Sequence, residues 1–129
     1  MEDYIIRATA AQGTVRAVAA VTTNMVKDAR NIHDLSPLAS VALGRTMTAA
    51  ALMSTFLKGT KDTLTIQIKG DGPLGGIVVV SDVDSNVRGY VHNPLVYLPL
   101  NEKGKHDVAG AIGKNGYLNV IKDLGLKEP

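Results

Sequence analysis

The stretch from Ser36 to Gly59, SPLASVALGRTMTAAALMSTFLKG, decides how this chain is read. Ser36 suits a helix N-cap, Pro37 suits the first helical position, and Lys58-Gly59 is a favoured C-terminal pair. Between them Leu38, Val41, Leu43, Met47, Leu52, Met53, Phe56 and Leu57 alternate with Ala, Ser, Thr and Gly44. A surface helix shows one apolar stripe and one charged face. Here no charged face exists, so the spacing predicts a central helix over about Ser36–Lys58 that is covered on more than one side. Its small residues would let neighbouring elements approach closely.

Arg45, near the middle of that helix, argues against a membrane span, because an arginine there costs about 2.5–3.5 kcal/mol on the insertion scale. Ser40, Thr46, Thr48, Ser54 and Thr55 dilute the apolar content further. Within a protein core an unpaired guanidinium would also be costly. Arg45 is therefore expected to reach a carboxylate, backbone carbonyls or solvent at an edge. Structural pairing is the main reading and substrate binding the alternative.

At 129 residues the chain is one domain-sized unit, with 45% hydrophobic and 20% charged residues in an ordinary globular balance. A formal charge of +2 is too mild to argue for nucleic acid, and with 4% aromatic residues stacking platforms are scarce. There is no cysteine, which removes disulfides, thiolate catalysis and cysteine-ligated zinc from these residues. Met1-Glu2-Asp3-Tyr4 lacks the basic and apolar regions of a secretory signal, so the cytoplasm is the expected compartment.

Upstream of the helix, Tyr4–Ala8 and Val15–Ala19 read as two strands about a Gln12-Gly13 turn. Thr22-Thr23 can cap a helix whose Met25, Val26, Ala29 and Ile32 share one face. Downstream the period changes to two. Leu64, Ile66 and Ile68 alternate with polar residues in the clearest strand of the sequence. Ile77–Val80, Val87–His92 and Tyr117–Lys122 read as further strands, and Asp107 can cap a short helix over Val108–Ile112, stopped by Gly113. Strands and helices are segregated, which predicts an α+β fold; a helix apolar all round suits three layers, sheet/helix/sheet. No domain boundary is visible.

Gly70-Asp71-Gly72-Pro73-Leu74-Gly75 is a literal G-x-G-x-x-G after a strand. A dinucleotide fingerprint needs a helix to open at that loop, whereas Ile77-Val78-Val79-Val80 follows as strand and Pro73 removes an amide. A hairpin loop is the main reading and nucleotide binding the alternative. His33, His92 and His106 show no metal-ligand spacing, and Ser36, Ser40, Ser54, Ser81 and Ser85 include no nucleophile elbow. No catalytic, cofactor-binding or metal residue is therefore assigned, and no enzyme is expected.

Taken together, six stretches resemble the bacterial redox-regulated chaperone family called heat-shock protein 33. They are Ala42–Ala50, Ile68–Gly76, Val87–Val91, Asn93-Pro94, Gly113–Gly116 and Val120–Gly125, in an order that spans nearly the whole chain. The resemblance implies a single N-terminal core domain over residues 1–129, with the central helix buried between sheets. It implies an ATP-independent holdase whose partners are unfolded or partly folded client proteins, with a homodimer favoured on oxidation and neither nucleic acid nor membrane as partner. Such a protein needs exposed apolar surface rather than a catalytic constellation. The family's switch is a C-terminal zinc module with four cysteines, and no residue here can be carried over to it. The sequence reaching only Lys127-Glu128-Pro129, a fragment of a longer chain is expected.

The competing class is a small-ligand or nucleotide-binding enzyme domain using Gly70–Gly75 with Asp71 or a histidine. The element after Gly76 separates the two: a helix there favours the ligand, a strand the chaperone. Client-contacting residues are not readable. Leu95, Val96, Tyr97 and Leu98 are candidates, with an ordinary packed loop as the alternative.

Overall fold

The computed structural model describes residues 1–125. Its first elements are β1 (Tyr4–Ala10) and β2 (Val15–Val21), antiparallel with Tyr4 opposite Val21 and Ala10 opposite Val15. The tight turn between them takes positive φ at Ala11, Gln12 and Gly13, of which only the glycine adopts it without strain. Both strands run two residues beyond the alternation that announced them.

Helix α1 (Thr23–His33) is not capped by its own Thr22, whose hydroxyl instead shares a 2.8 Å hydrogen bond with that of Thr48. Asp3 supplies the cap from a distance. Its two carboxylate oxygens accept from the Asn24 and Met25 amides at 3.0 and 2.7 Å, where a negative charge also suits the helix dipole. The expected apolar face splits. Ala29 is buried, Val26 packs against Gly44, and Ile32 is 76% exposed.

Helix α2 (Pro37–Ser54) starts as read: the Ser36 hydroxyl accepts from the Ala39 amide at 3.2 Å and donates to the Val96 carbonyl at 2.7 Å. It ends a turn before Lys58. The Ser54 and Thr55 hydroxyls donate to the Ala51 and Leu52 carbonyls, and the Thr55, Phe56 and Leu57 amides bond three residues back. That tightening closes the helix, and local hydroxyl bonds are a known competitor of the α pattern. The Gly59 amide then donates to the buried Asp62 carboxylate.

Strands β3 (Thr63–Gly70), β4 (Ile77–Asp82), β5 (Val87–Val91) and β6 (Gly116–Asp123) form an antiparallel sheet in the order β5-β4-β3-β6. Leu64, Ile66, Ile77 and Val79 lie on the buried face, beneath α2. The Ser81 hydroxyl on that face donates to the Ala50 carbonyl. Leu43 sits so near Gly89 that its Cδ1 lies 3.3 Å from the point where a Cβ would be. Helix α3 (Val108–Ile112) is capped by the Asp107 carboxylate, which accepts from the Gly110 amide, and it leads into β6.

The fold is α+β, with α2 between the four-stranded sheet and a second layer. That second layer consists of α1 and the two-stranded hairpin, which reaches α2 through β2. Cover on this side is incomplete. Val26, Val41, Gly44, Arg45, Ala49 and Leu52 line an open groove of about 530 Å3. Arg45 is exposed in it, which corrects the main reading of a structural pair and bears out the expected alternative outlet, solvent at an edge. The guanidinium stays hydrated, so no carboxylate is needed to offset its desolvation. No helix among the described residues is long and apolar enough to cross a membrane.

Candidate functional site

The Gly70–Gly75 loop is a hairpin connection, and the element after Gly76 is strand β4. Its amides already have partners. Gly72 N–H donates to the Ile112 carbonyl and Leu74 N–H to the Ala111 carbonyl, both at 2.9 Å. The glycines serve that contact: a Cβ on Gly70 would meet the Ile112 carbonyl, and one on Gly72 the Ala111 carbonyl. The loop thus cradles the C-terminal end of α3 where the nucleotide reading would place a pyrophosphate.

Asp71 belongs to the same joint. Its carboxylate accepts from the Asn115 backbone amide at 3.3 Å and from Asn115 Nδ2 at 3.0 Å. These bonds, the backbone one foremost, hold its pKa below the ordinary carboxylate value. Asp82 is held low in the same way, chiefly by the Asn86 backbone amide in the β4–β5 turn.

The three histidines lie apart. His33 ends α1, His106 precedes α3, and His92 stacks on Tyr90 with ring centroids 6.0 Å apart. Among the described residues no three His, Cys, Asp or Glu side chains are gathered so as to hold a metal ion. The buried hydroxyls of Ser54 and Ser81 are spent on the Ala51 and Ala50 carbonyls.

Apolar surface remains as the chemically distinctive feature. In the segment flagged beforehand, Leu95 and Tyr97 are 70% and 80% exposed, whereas Val96 is buried and Leu98 packs against the core. Alternate residues therefore part company, which a list of apolar letters could not tell. A second cleft, of about 570 Å3, opens between α1 and β5 and is lined by Met25, Ile32, Met47 and Tyr90 among others. Methionines suit such a surface because their side chains adapt to varied shapes.

The largest exposed apolar row was not foreseen. Strand β6 forms an edge of the sheet, and all eight of its residues are exposed. Leu118 and Val120 pair with Ile68 and Ile66 and so extend the α2-facing stripe past the helix that covers it. Tyr117 and Ile121 pair with Lys69 and Thr65 on the opposite face. A strand apolar on both faces ordinarily marks a central position in a sheet. Tyr117-Leu118-Asn119-Val120-Ile121 carries that signal, and it lies at an edge.

With this geometry in hand, comparison with known proteins gives a consistent result. The family model described as Hsp33 protein matches residues 3–129. The 33 kDa chaperonin of Acetivibrio thermocellus is 74% identical over the whole chain, and that of Ruminiclostridium cellulolyticum 70%. The chain spans 43% and 44% of the length of those two relatives. The crystal structure of the 33 kDa chaperonin from Thermotoga maritima superposes with a TM-score of 0.91 at 48% identity, covering 97% of this chain and 42% of that one. A match that runs from residue 3 to residue 129, through the same strands and helices, places this chain in the Hsp33 family.

Proposed function

We propose that this chain is the client-binding core of an ATP-independent, redox-regulated holdase, which captures unfolding proteins and prevents their aggregation under oxidative and heat stress. The observation that supports it best is the apolar cleft between α1 and β5, lined by Met25, Ile32, Met47 and Tyr90 among others. Exposed apolar patches of this kind mark binding sites for other chains. A holdase works by mass action: it binds the non-native state and withholds it from aggregation, with no bond made or broken.

The family's thiolate-zinc switch needs cysteines, and these residues contain none. Regulation by zinc and disulfides would therefore act on this core from other residues. Clients in the cytoplasm and a homodimer in the oxidised state complete the reading. The test is light scattering from a heat-unfolding enzyme with this chain present and ATP absent. Suppression of scattering in proportion to added chain is expected. Undiminished scattering at molar excess would remove client binding from these residues.

A further inference from the structure

Asp71-Gly72 is the only Asp-Gly pair in the chain, and Asn115-Gly116 is the only Asn-Gly pair. Both carry the same latent chemistry. The backbone nitrogen of the second residue can attack the side-chain Cγ of the first and close a cyclic imide. Glycine hinders that attack least, because it has no Cβ. The fold brings the two pairs together from 44 positions apart: the Asp71 carboxylate accepts from the Asn115 backbone amide at 3.3 Å and from Asn115 Nδ2 at 3.0 Å. Packing makes both glycines obligatory. A Cβ on Gly116 would collide with the Lys69 carbonyl oxygen, and one on Gly72 with the carbonyl oxygen of Ala111. Close packing thus imposes a labile junction where α3 hands over to β6.

Only one of the pairs is poised to react. An ionised carboxylate is a poor electrophile, and the Asn115 bonds that lower the Asp71 pKa keep it ionised. The Gly72 nitrogen is also engaged, donating to the Ile112 carbonyl at 2.9 Å. Asn115 carries a neutral amide, and its Nδ2 can leave as ammonia. We propose that Asn115 is a deamidation site, held in check by Asp71, whose product undoes the joint between α3 and β6. The Gly116 nitrogen attacks Asn115 Cγ and gives its proton to water. The Cγ–Nδ2 bond breaks, and Nδ2 departs as ammonia with a proton taken from water. Water then opens the imide at either carbonyl, leaving aspartate or isoaspartate. In sum, one water is taken up and one ammonia released, with no change of oxidation state.

Asp71 restrains the step by position. Ring closure needs Asn115 Cγ to swing toward the next backbone nitrogen, while Nδ2 is tied to Asp71 and Gly116 is already paired opposite Gly70. The product reverses the clamp. A carboxylate at position 115 has no Nδ2 to donate and sets a like charge against Asp71, which should raise the Asp71 pKa. Isoaspartate also lengthens the main chain by one carbon just ahead of β6. The outcome is a slow, one-way loosening of the joint. The other clamp, Asp82 on Asn86, is the internal control, because Val87 follows the asparagine and its branched side chain obstructs the same attack.

The test incubates the full 129-residue chain at mildly alkaline pH, folded and in urea, and follows it by intact mass and peptide mapping. Conversion of amide to acid is expected at Asn115 ahead of Asn86 and every other asparagine. The rate in urea should exceed the folded rate about tenfold or more, because the charged hydrogen bonds that restrain Asn115 are gone. Asp71→Ala, checked as folded by circular dichroism, should speed the reaction at Asn115 several-fold and leave Asn86 unchanged, whereas general destabilisation would speed both. Asn115→Asp reproduces the direct product, and NMR should show faster amide exchange across 108–116 with the Asn86 amides unmoved. No conversion at Asn115 in the folded chain over weeks, or equal rates folded and in urea, would overturn the proposal. So would an unchanged rate in folded Asp71→Ala, or undisturbed exchange in Asn115→Asp. If Asp71→Ala does not fold, the folded-to-urea rate ratio of the native chain and the exchange in Asn115→Asp decide the matter.

Discussion

The two edges of the four-stranded sheet were built in different ways. β5 is short, interrupted by Gly89, flanked by α1 and backed by Leu43 of α2. β6 is long, apolar on both faces and exposed among the described residues. Yet each is reached through the same device, an aspartate whose carboxylate gathers the amides of a nearby asparagine. Asp82 holds Asn86 ahead of β5, and Asp71 holds Asn115 ahead of β6. The difference teaches that one turn device can lead into strands of quite different length and side-chain pattern. Among the described residues β5 has α1 beside it across an apolar cleft, and β6 carries apolar side chains on both faces.

The comparison can be tested from the shared core outward. Leu43 is fully buried between α2 and the sheet, against Gly89. Leu43→Ala should cost about 2–5 kcal/mol in urea unfolding, because it removes buried apolar surface and leaves a cavity. Amide exchange should then rise in β5 more than in β6, since Leu43 backs β5 directly. An equal rise at both edges would break the distinction between them.

Gly89→Ala probes the closed edge alone. The new Cβ would lie 2.7 Å from Val79 Cγ2 and 2.9 Å from the Val78 carbonyl oxygen, so strand or helix must shift. Overpacking of this kind costs about 1–3 kcal/mol. The expected loss should appear in thermal unfolding while amide exchange in β6 stays unchanged. Faster exchange in β6 as well would mean that the two edges are coupled.

The smallest effect is on pH. The Asp71 and Asp82 pKa values are lowered in the folded chain by the asparagine amides that each carboxylate accepts. A depressed folded pKa adds stability above the unfolded value, and that stability is lost as pH falls through the folded value. Acidification below the ordinary carboxylate range should therefore loosen both clamps, and exposure of the groups keeps the effect modest. Two-dimensional NMR titration should show the Asn115 and Asn86 amides moving with Asp71 and Asp82 respectively. In Asp71→Asn only the Asn86 transition should remain, which would sharpen the assignment of one clamp to each edge.

Much of this was legible in the residues. The Ser36 cap, the period-two strands, the short helix after Asp107 and the strand after Gly76 all follow from local chemistry acting over a few positions. Where reading failed, a distant residue had intervened. The α1 cap comes from Asp3, some twenty positions away, and Thr22 is drawn off by Thr48. For Arg45 the sequence allows a carboxylate, backbone carbonyls or solvent at an edge and favours structural pairing, and it is the solvent edge that the structure shows, in a groove where cover is incomplete. The candidate surface was half visible. Leu95 and Tyr97 are exposed as a binding loop would need, while Val96 and Leu98 turn inward.

Pattern and propensity by themselves determined which segments are helix or strand and that one helix must be covered on several sides, since periodicity and caps are local properties of the chain. Strand order is not local. Only the tertiary structure decided that Tyr117–Ile121, apolar on both faces, pairs with β3 and not with the strands nearer to it in sequence. The same composition can be core in one position and surface in another, because burial depends on what packs alongside and not on the strand itself.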